Sequence, residues 1–145
     1  MTLLANPKAI RDQIITILTT ADPKNEAGVS IKKWFKGQPP RSHFPAFPIG
    51  WVEWSGGVMN PPVGSRAQIL DGFHIVIVDK HIDAEKAEDS VMEFVDSVEA
   101  ALDDAPTIGN LVAYSWVSNR EKEKQFEGDY SLIAVRLTLS TRRNE

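Results

Sequence analysis

The chain has 145 residues, a net charge of −4 and no cysteine. That length suits one domain, residues 1–145, with a real core. The missing thiol excludes disulfides, cysteine-ligated zinc and a cysteine nucleophile. The acidic balance argues against a broad electrostatic footprint for nucleic acid, although Arg41, Arg66, Arg120, Arg142 and Arg143 could converge into a local basic patch.

The opening, MTLLANPKAIRDQ, reads as neither a signal peptide nor a membrane anchor, and no apolar run approaches the roughly 20 residues of a spanning helix. Asn6 is placed to cap a first helix, with Pro7 at the position where a missing N–H costs nothing. Ile10, Ile14, Ile17, Leu18 and Ala21 then share one face at helical spacing, and Asp22-Pro23 ends the run. A single apolar stripe implies packing on a sheet rather than burial all round. Gly28–Phe35 reads as a short strand.

From Gly37 to Gly64 the chain is rich in proline and glycine, and 37–66 is expected to form a long loop and edge-strand region. Within it, Phe47–Trp54 alternates as a strand, which Pro48 would confine to an edge or to its own beginning. The flanks GQPPRSHFP and SGGVMNPPVGSR read as loops, with Gly56-Gly57 as a hairpin turn. Loops of this length are usually functional or disordered.

Phe73–His81 is β-branched on both faces, as an interior strand would be. Asp83 is placed to cap a second helix whose buried face is Ala87, Val91, Phe94, Val95, Val98, Ala101 and Leu102. Pro106 stops this helix, and Gly109-Asn110 supplies a turn into a strand at Leu111–Val117. REKEKQFEGD reads as a charged turn or hairpin tip. Ser131–Thr141 closes the order as a strand with Ile133, Val135, Leu137 and Leu139 on one side and Arg136 on a partly wet opposite side. The expected class is α+β: a mostly antiparallel sheet of about four to five strands with two main helices on one face.

Several constellations suggest chemistry and fall short of it. Asp79, His81 and Asp83 share a strand face near His74, but Asp83 is better used as a cap and no second cluster completes a metal site, His43 lying far off in a loop. Ser55 precedes two glycines without a nucleophile elbow. GGVMNPPVG has no lysine and two prolines, unlike a phosphate-binding loop. No catalytic, metal or cofactor residue is therefore assigned.

Two surface signals remain. Glu85, Glu88, Asp89, Glu93, Asp96, Glu99 and Asp103 cluster on one stripe of the second helix, offset only by Lys86. Like charges four apart destabilise a helix by a few tenths of a kcal/mol each. The stripe reads as a solvated face, or as a surface facing a basic partner or a channel that must not hold DNA. Trp34, Trp51 and Trp54 lie in or beside the proline-rich region, either as interface anchors, with Phe47 and Arg66, or as a small satellite core.

The ordered set NPKAIRDQIITILTTA, FPAFPIGWVEW, FHIVIVDKHIDAEKAEDSVMEFVDSVEAALDDAPTIGN and YSLIAVRLTLSTRR resembles the tail terminator proteins of long-tailed bacteriophages and their neighbours among minor tail and tail completion proteins. The resemblance spans nearly the whole chain. It implies a structural virion protein of the tail or neck, made in the host bacterial cytoplasm. Such proteins form rings, commonly hexamers, that end tail-tube polymerisation and present a surface to the head–tail connector, while DNA passes through without specific binding. It implies no catalytic residue, no cofactor and no membrane. A ring closed by heterologous contacts needs two different patches per subunit; region 37–66 is one candidate, and the acidic stripe could face the lumen. The stretch RSHFPAFPIGWVEWSGGVMNPPVG is longer and richer in tryptophan than the family pattern. That departure keeps open a head-closure or other neck component of the same fold. A small α+β module binding a ligand or peptide is the rival of a different class.

Overall fold

A computed structural model describes residues 6–40, 46–63 and 66–144, without the side chains of 60–63, 66, 67, 126, 127 and 144. The elements are α1 (Pro7–Ala21), β1 (Trp34–Lys36), β2 (Ile49–Val63), β3 (Arg66–His81), α2 (Ala84–Asp103), β4 (Tyr114–Glu127) and β5 (Tyr130–Asn144). The strands form one five-stranded open sheet in the order β1-β2-β3-β5-β4. Only β1 and β2 run parallel; the other neighbours are antiparallel. The fold is α+β.

Both helices begin as their caps dictate. The Asn6 side chain accepts a hydrogen bond from Ala9 N at 2.8 Å, and that of Asp83 accepts one from Glu85 N at 2.9 Å. Each satisfies an N–H that the first helical turn leaves without a partner. α1 ends where Asp22 turns left-handed at φ 50° and donates its N–H to Leu18 O. Ile10, Ile14 and Leu18 are buried, whereas Ala21 is exposed at the fraying end. α2 buries Ala87, Val91, Phe94, Val95, Val98 and Leu102.

Cross-strand register separates the two faces of the sheet. Val52, Ile75, Leu137 and Arg120 lie side by side on the face that meets the helices. Trp51, Val76, Arg136 and Glu121 do so on the opposite, outer face. The main core fills the space between helices and sheet, with Phe73, Phe94, Ile14, Ile75 and Leu137 among its fully buried members. Fully burying a side chain of this size contributes about 1.5–3 kcal/mol. A second cluster of Ile49, Trp51, Val76, Val78 and Leu132, with Phe35, Phe47 and Ala134 against it, sits on the outer face. β3 is therefore an interior strand apolar on both sides.

Five expectations about local structure are corrected. The first strand is confined to Trp34–Lys36, because only these residues meet β2; Ser30 makes no more than an isolated bridge to Lys24. The strand expected at Phe47–Trp54 begins at Ile49 and continues to Val63, so SGGVMNPP is a strand rather than a loop. Its backbone pairs with β3 out to Val63, and β1 covers its other side at Gly50–Val52, so it is not an edge there. Gly56-Gly57 is not the hairpin turn but the site of a β-bulge between Trp54 and Gly56, with Gly56 at φ 102°. REKEKQFE is likewise strand, paired with β5, and the reversal is at Gly128, φ 61°. The strand expected from Leu111 starts at Tyr114, since the preceding residues form turns in which Ile108, Gly109 and Asn110 all have positive φ.

Candidate functional site

The three tryptophans of the proline-rich region have three different environments. Trp34 is half-buried and lies flat over Gly50, where any Cβ would collide with its ring. Gly50 is needed for that close approach. Trp51 is buried in the outer-face cluster. Phe47, on the same cluster, is half-buried and has the Lys80 ammonium 5.8 Å from its ring centroid. Trp54 alone is solvent-facing, at 52% exposure. Arg66 opens β3, and its side chain, like the whole of Arg41, lies outside the described residues.

Beneath Trp54 is a buried ion pair that sequence reading missed. The Asp71 carboxylate accepts from Trp54 Nε1 at 3.1 Å and from Arg143 Nε at 3.2 Å, and Arg143 Nη2 lies 3.2 Å away. Asp71 is almost fully buried although it is charged. A buried carboxylate is tolerated only when paired and hydrogen-bonded, and Arg143 supplies both through its planar fork. Gly57 makes room: a Cβ there would sit 2.6 Å from Asp71 Oδ1 and 2.7 Å from Leu70 O. The signal available in the sequence was weak: an aspartate between Leu70 and Gly72, whose pairing with Gly57 only the strand register reveals.

At the same end of the sheet, Tyr114 and Trp116 of β4 stack with ring centroids 5.8 Å apart. They are 53% and 39% exposed. Register places Val58, Leu70, Arg142 and Tyr114 in one cross-strand row, and Gly56, Gly72, Ser140 and Trp116 two rows along on the same face. Exposed Tyr, Trp and Arg together have the composition of protein–protein hot spots.

The acidic face of α2 divides into three. On its β4 flank, Glu99 forms a two-point pair with Arg120 at 2.6 and 2.5 Å, and Glu88 lies 2.9 Å from Lys122 Nζ. The Glu99 hydrogen bond, and then its charge, hold the Arg120 guanidinium above its ordinary pKa. On the other flank, Glu93 accepts the Glu26 N–H at 3.0 Å. Glu85, Asp89, Asp96 and Asp103 are exposed along the outward ridge, with Met92 among them. The cations that offset the stripe thus come chiefly from β4, a strand distant in sequence.

The residues weighed for chemistry are used structurally. Asp79 accepts the Lys80 N–H and the Ser90 hydroxyl, the latter at 2.6 Å. His81 Nδ1 accepts the Asp83 N–H at 3.1 Å. His74 Nδ1 faces Glu53 at 3.6 Å. Among the described residues, no group of three or more His, Cys, Asp or Glu could hold a metal ion. Ser55 is the extra residue of the β2 bulge, with its hydroxyl set over Gly72. Among the described residues no helix is long and apolar enough to cross a membrane.

No protein-family model matches the chain. No curated protein matches it. Among solved structures, the chain is similar to one titled "Virion of native gene transfer agent (GTA) particle", at 13% identity and a TM-score of 0.43, covering 98% of this chain and 99% of that one.

Proposed function

We propose that this chain is a structural protein of a long-tailed phage virion. It assembles as a ring at the end of the tail tube, ends tube polymerisation and joins the tail to the head connector. The observation that carries the reading is the order of elements that underlies the resemblance: capped helix, proline-rich strand, β-branched strand, long acidic helix, short turn and two closing strands. The surface supports it. Aromatic side chains stand exposed at one end of the sheet, as interface anchors do. The outward acids of α2 suit a channel wall, since fixed negative charge repels DNA phosphate.

The test is to measure the mass of the purified protein and to image it by negative stain, alone and with tail tubes. The expected result is a closed ring with a central channel, or a ring formed at tube ends. A stable monomer that binds a small molecule and ignores tube ends would refute the reading, as would tails of normal length in a phage lacking the gene.

A further inference from the structure

Among the described residues, nothing pairs with either outer edge of the sheet at one shared height. On one side β1 covers β2 only as far as Val52. Beyond the Trp54/Gly56 bulge, Gly56–Asn60 is an uninterrupted run that, among the described residues, pairs on one side only, to β3. On the other side, Tyr114–Val117 is a regular run of β4 that, among the described residues, pairs only with β5, and it ends at the Val117/Asn119 bulge. Following the register across the sheet, Gly56 stands level with Trp116 and Val58 with Tyr114. Three successive antiparallel steps make β2 and β4 run in opposite directions.

We infer that Gly56–Asn60 of one copy adds as an antiparallel strand to Tyr114–Val117 of the next copy, so that the sheet continues from subunit to subunit. Unpaired edges invite strand addition, and proteins that avoid it guard their edges with charge, proline or bulges. The guards here lie on either side of the two runs. β4 becomes charged from Arg120 onward, Pro61-Pro62 lack N–H donors at the end of β2, and bulges bound the runs at Trp54/Gly56 and Asn60/Val63 on β2 and at Val117/Asn119 on β4. The runs themselves hold exposed apolar groups: Val58 is 60% exposed and Tyr114 53%.

The side chains also match. With the sheet continued at the same height, Tyr114 stands beside Val58 of the neighbouring copy, an aromatic–β-branched cross-strand pair. Trp116 stands beside Gly56 of that copy, and nothing lies within 4 Å of where a Cβ on Gly56 would be. An aromatic beside a strand glycine covers backbone that the glycine leaves bare. Because the two edges are different surfaces of one chain, the contact is heterologous and each copy engages two neighbours. This inference rests on the ring reading but makes a narrower claim.

The absence of cysteine permits a direct test. In the Val58→Cys/Tyr114→Cys double variant, oxidation should give a covalent ladder ending in a closed species, whereas a mixture of the two single variants should stop at a linked dimer. Val58→Glu or Tyr114→Lys should each weaken association by about fivefold per contact, and the two together should restore it. Thermal melting of every variant separates lost association from lost folding. If the wild-type chain forms rings but the double-cysteine variant gives no ladder, edge pairing is wrong and the ring reading stands. A wild-type chain that is monomeric at its highest soluble concentration overturns edge pairing between free copies, and assembly on tail tubes then decides the ring reading separately.

Discussion

Replacing Asp71 with alanine should destabilise this protein more than most single changes outside the main core. The carboxylate is 3% exposed and receives hydrogen bonds from Arg143 and from the Trp54 indole, while the Arg143 side chain is 16% exposed. Removing one partner of a buried ion pair costs about 3–5 kcal/mol, because the remaining charge stays desolvated. Arg143 retains some access to water, so the lower end, about 3 kcal/mol, is expected. For a chain of this length each kcal/mol moves the melting temperature by about 2–4 °C, giving a fall of about 6–12 °C. Urea unfolding should show the midpoint shifting at constant slope. The double variant Asp71→Leu/Arg143→Leu should recover most of the loss, since paired apolar groups of similar volume replace a buried ion pair at little cost. An Asp71→Ala loss below about 0.5 kcal/mol, the range of ordinary surface changes, would refute this account of the pair.

Two further changes probe the aromatic region and the helix face. Trp51→Ala should cost about 3–5 kcal/mol by emptying the outer-face cluster, whereas Trp54→Ala should cost about 1–2 kcal/mol, because that indole is half in water and loses chiefly its bond to Asp71; equal losses in denaturant unfolding would contradict the distinction. Glu99→Gln should change the melting temperature little despite the close two-point contact with Arg120, because the guanidinium is exposed and solvent screens the pair; a fall of more than about 4 °C would show the pair to be more than a surface bridge.

How much was legible depends on the range of the forces that form each element. Both ends of α1 and the start of α2 could be located to the residue, because capping side chains and an apolar stripe act within a few positions of each other. β5 and the apolar half of β3 were legible for a similar reason, as their alternation reports the two environments of a strand directly. The failures share one cause. SGGVMNPP looks like a loop and REKEKQFE like a turn, yet both are strands, because β3 and β5 run alongside and accept their backbone hydrogen bonds. Local propensity carries no information about a partner strand that is distant in sequence, and tertiary pairing overrode it.

The candidate site divides in the same way. The acidic ridge of α2 and the concentration of tryptophan could be read from residue types and spacing. Which tryptophan faces water could not, since Trp34 is held by Gly50, Trp51 by the far side of the sheet and Trp54 by Asp71. The Tyr114–Trp116 surface and its alignment with Val58 on the opposite edge exist only through the register of four strands. The sequence by itself determined the helices, their caps, the α+β class and the acidity of one helix face, because those follow from short-range sterics and periodicity. The tertiary structure alone decided the length of β2 and β4, the burial of Asp71 and the alignment of Val58 with Tyr114 across the sheet, because these depend on which distant segments come to lie side by side.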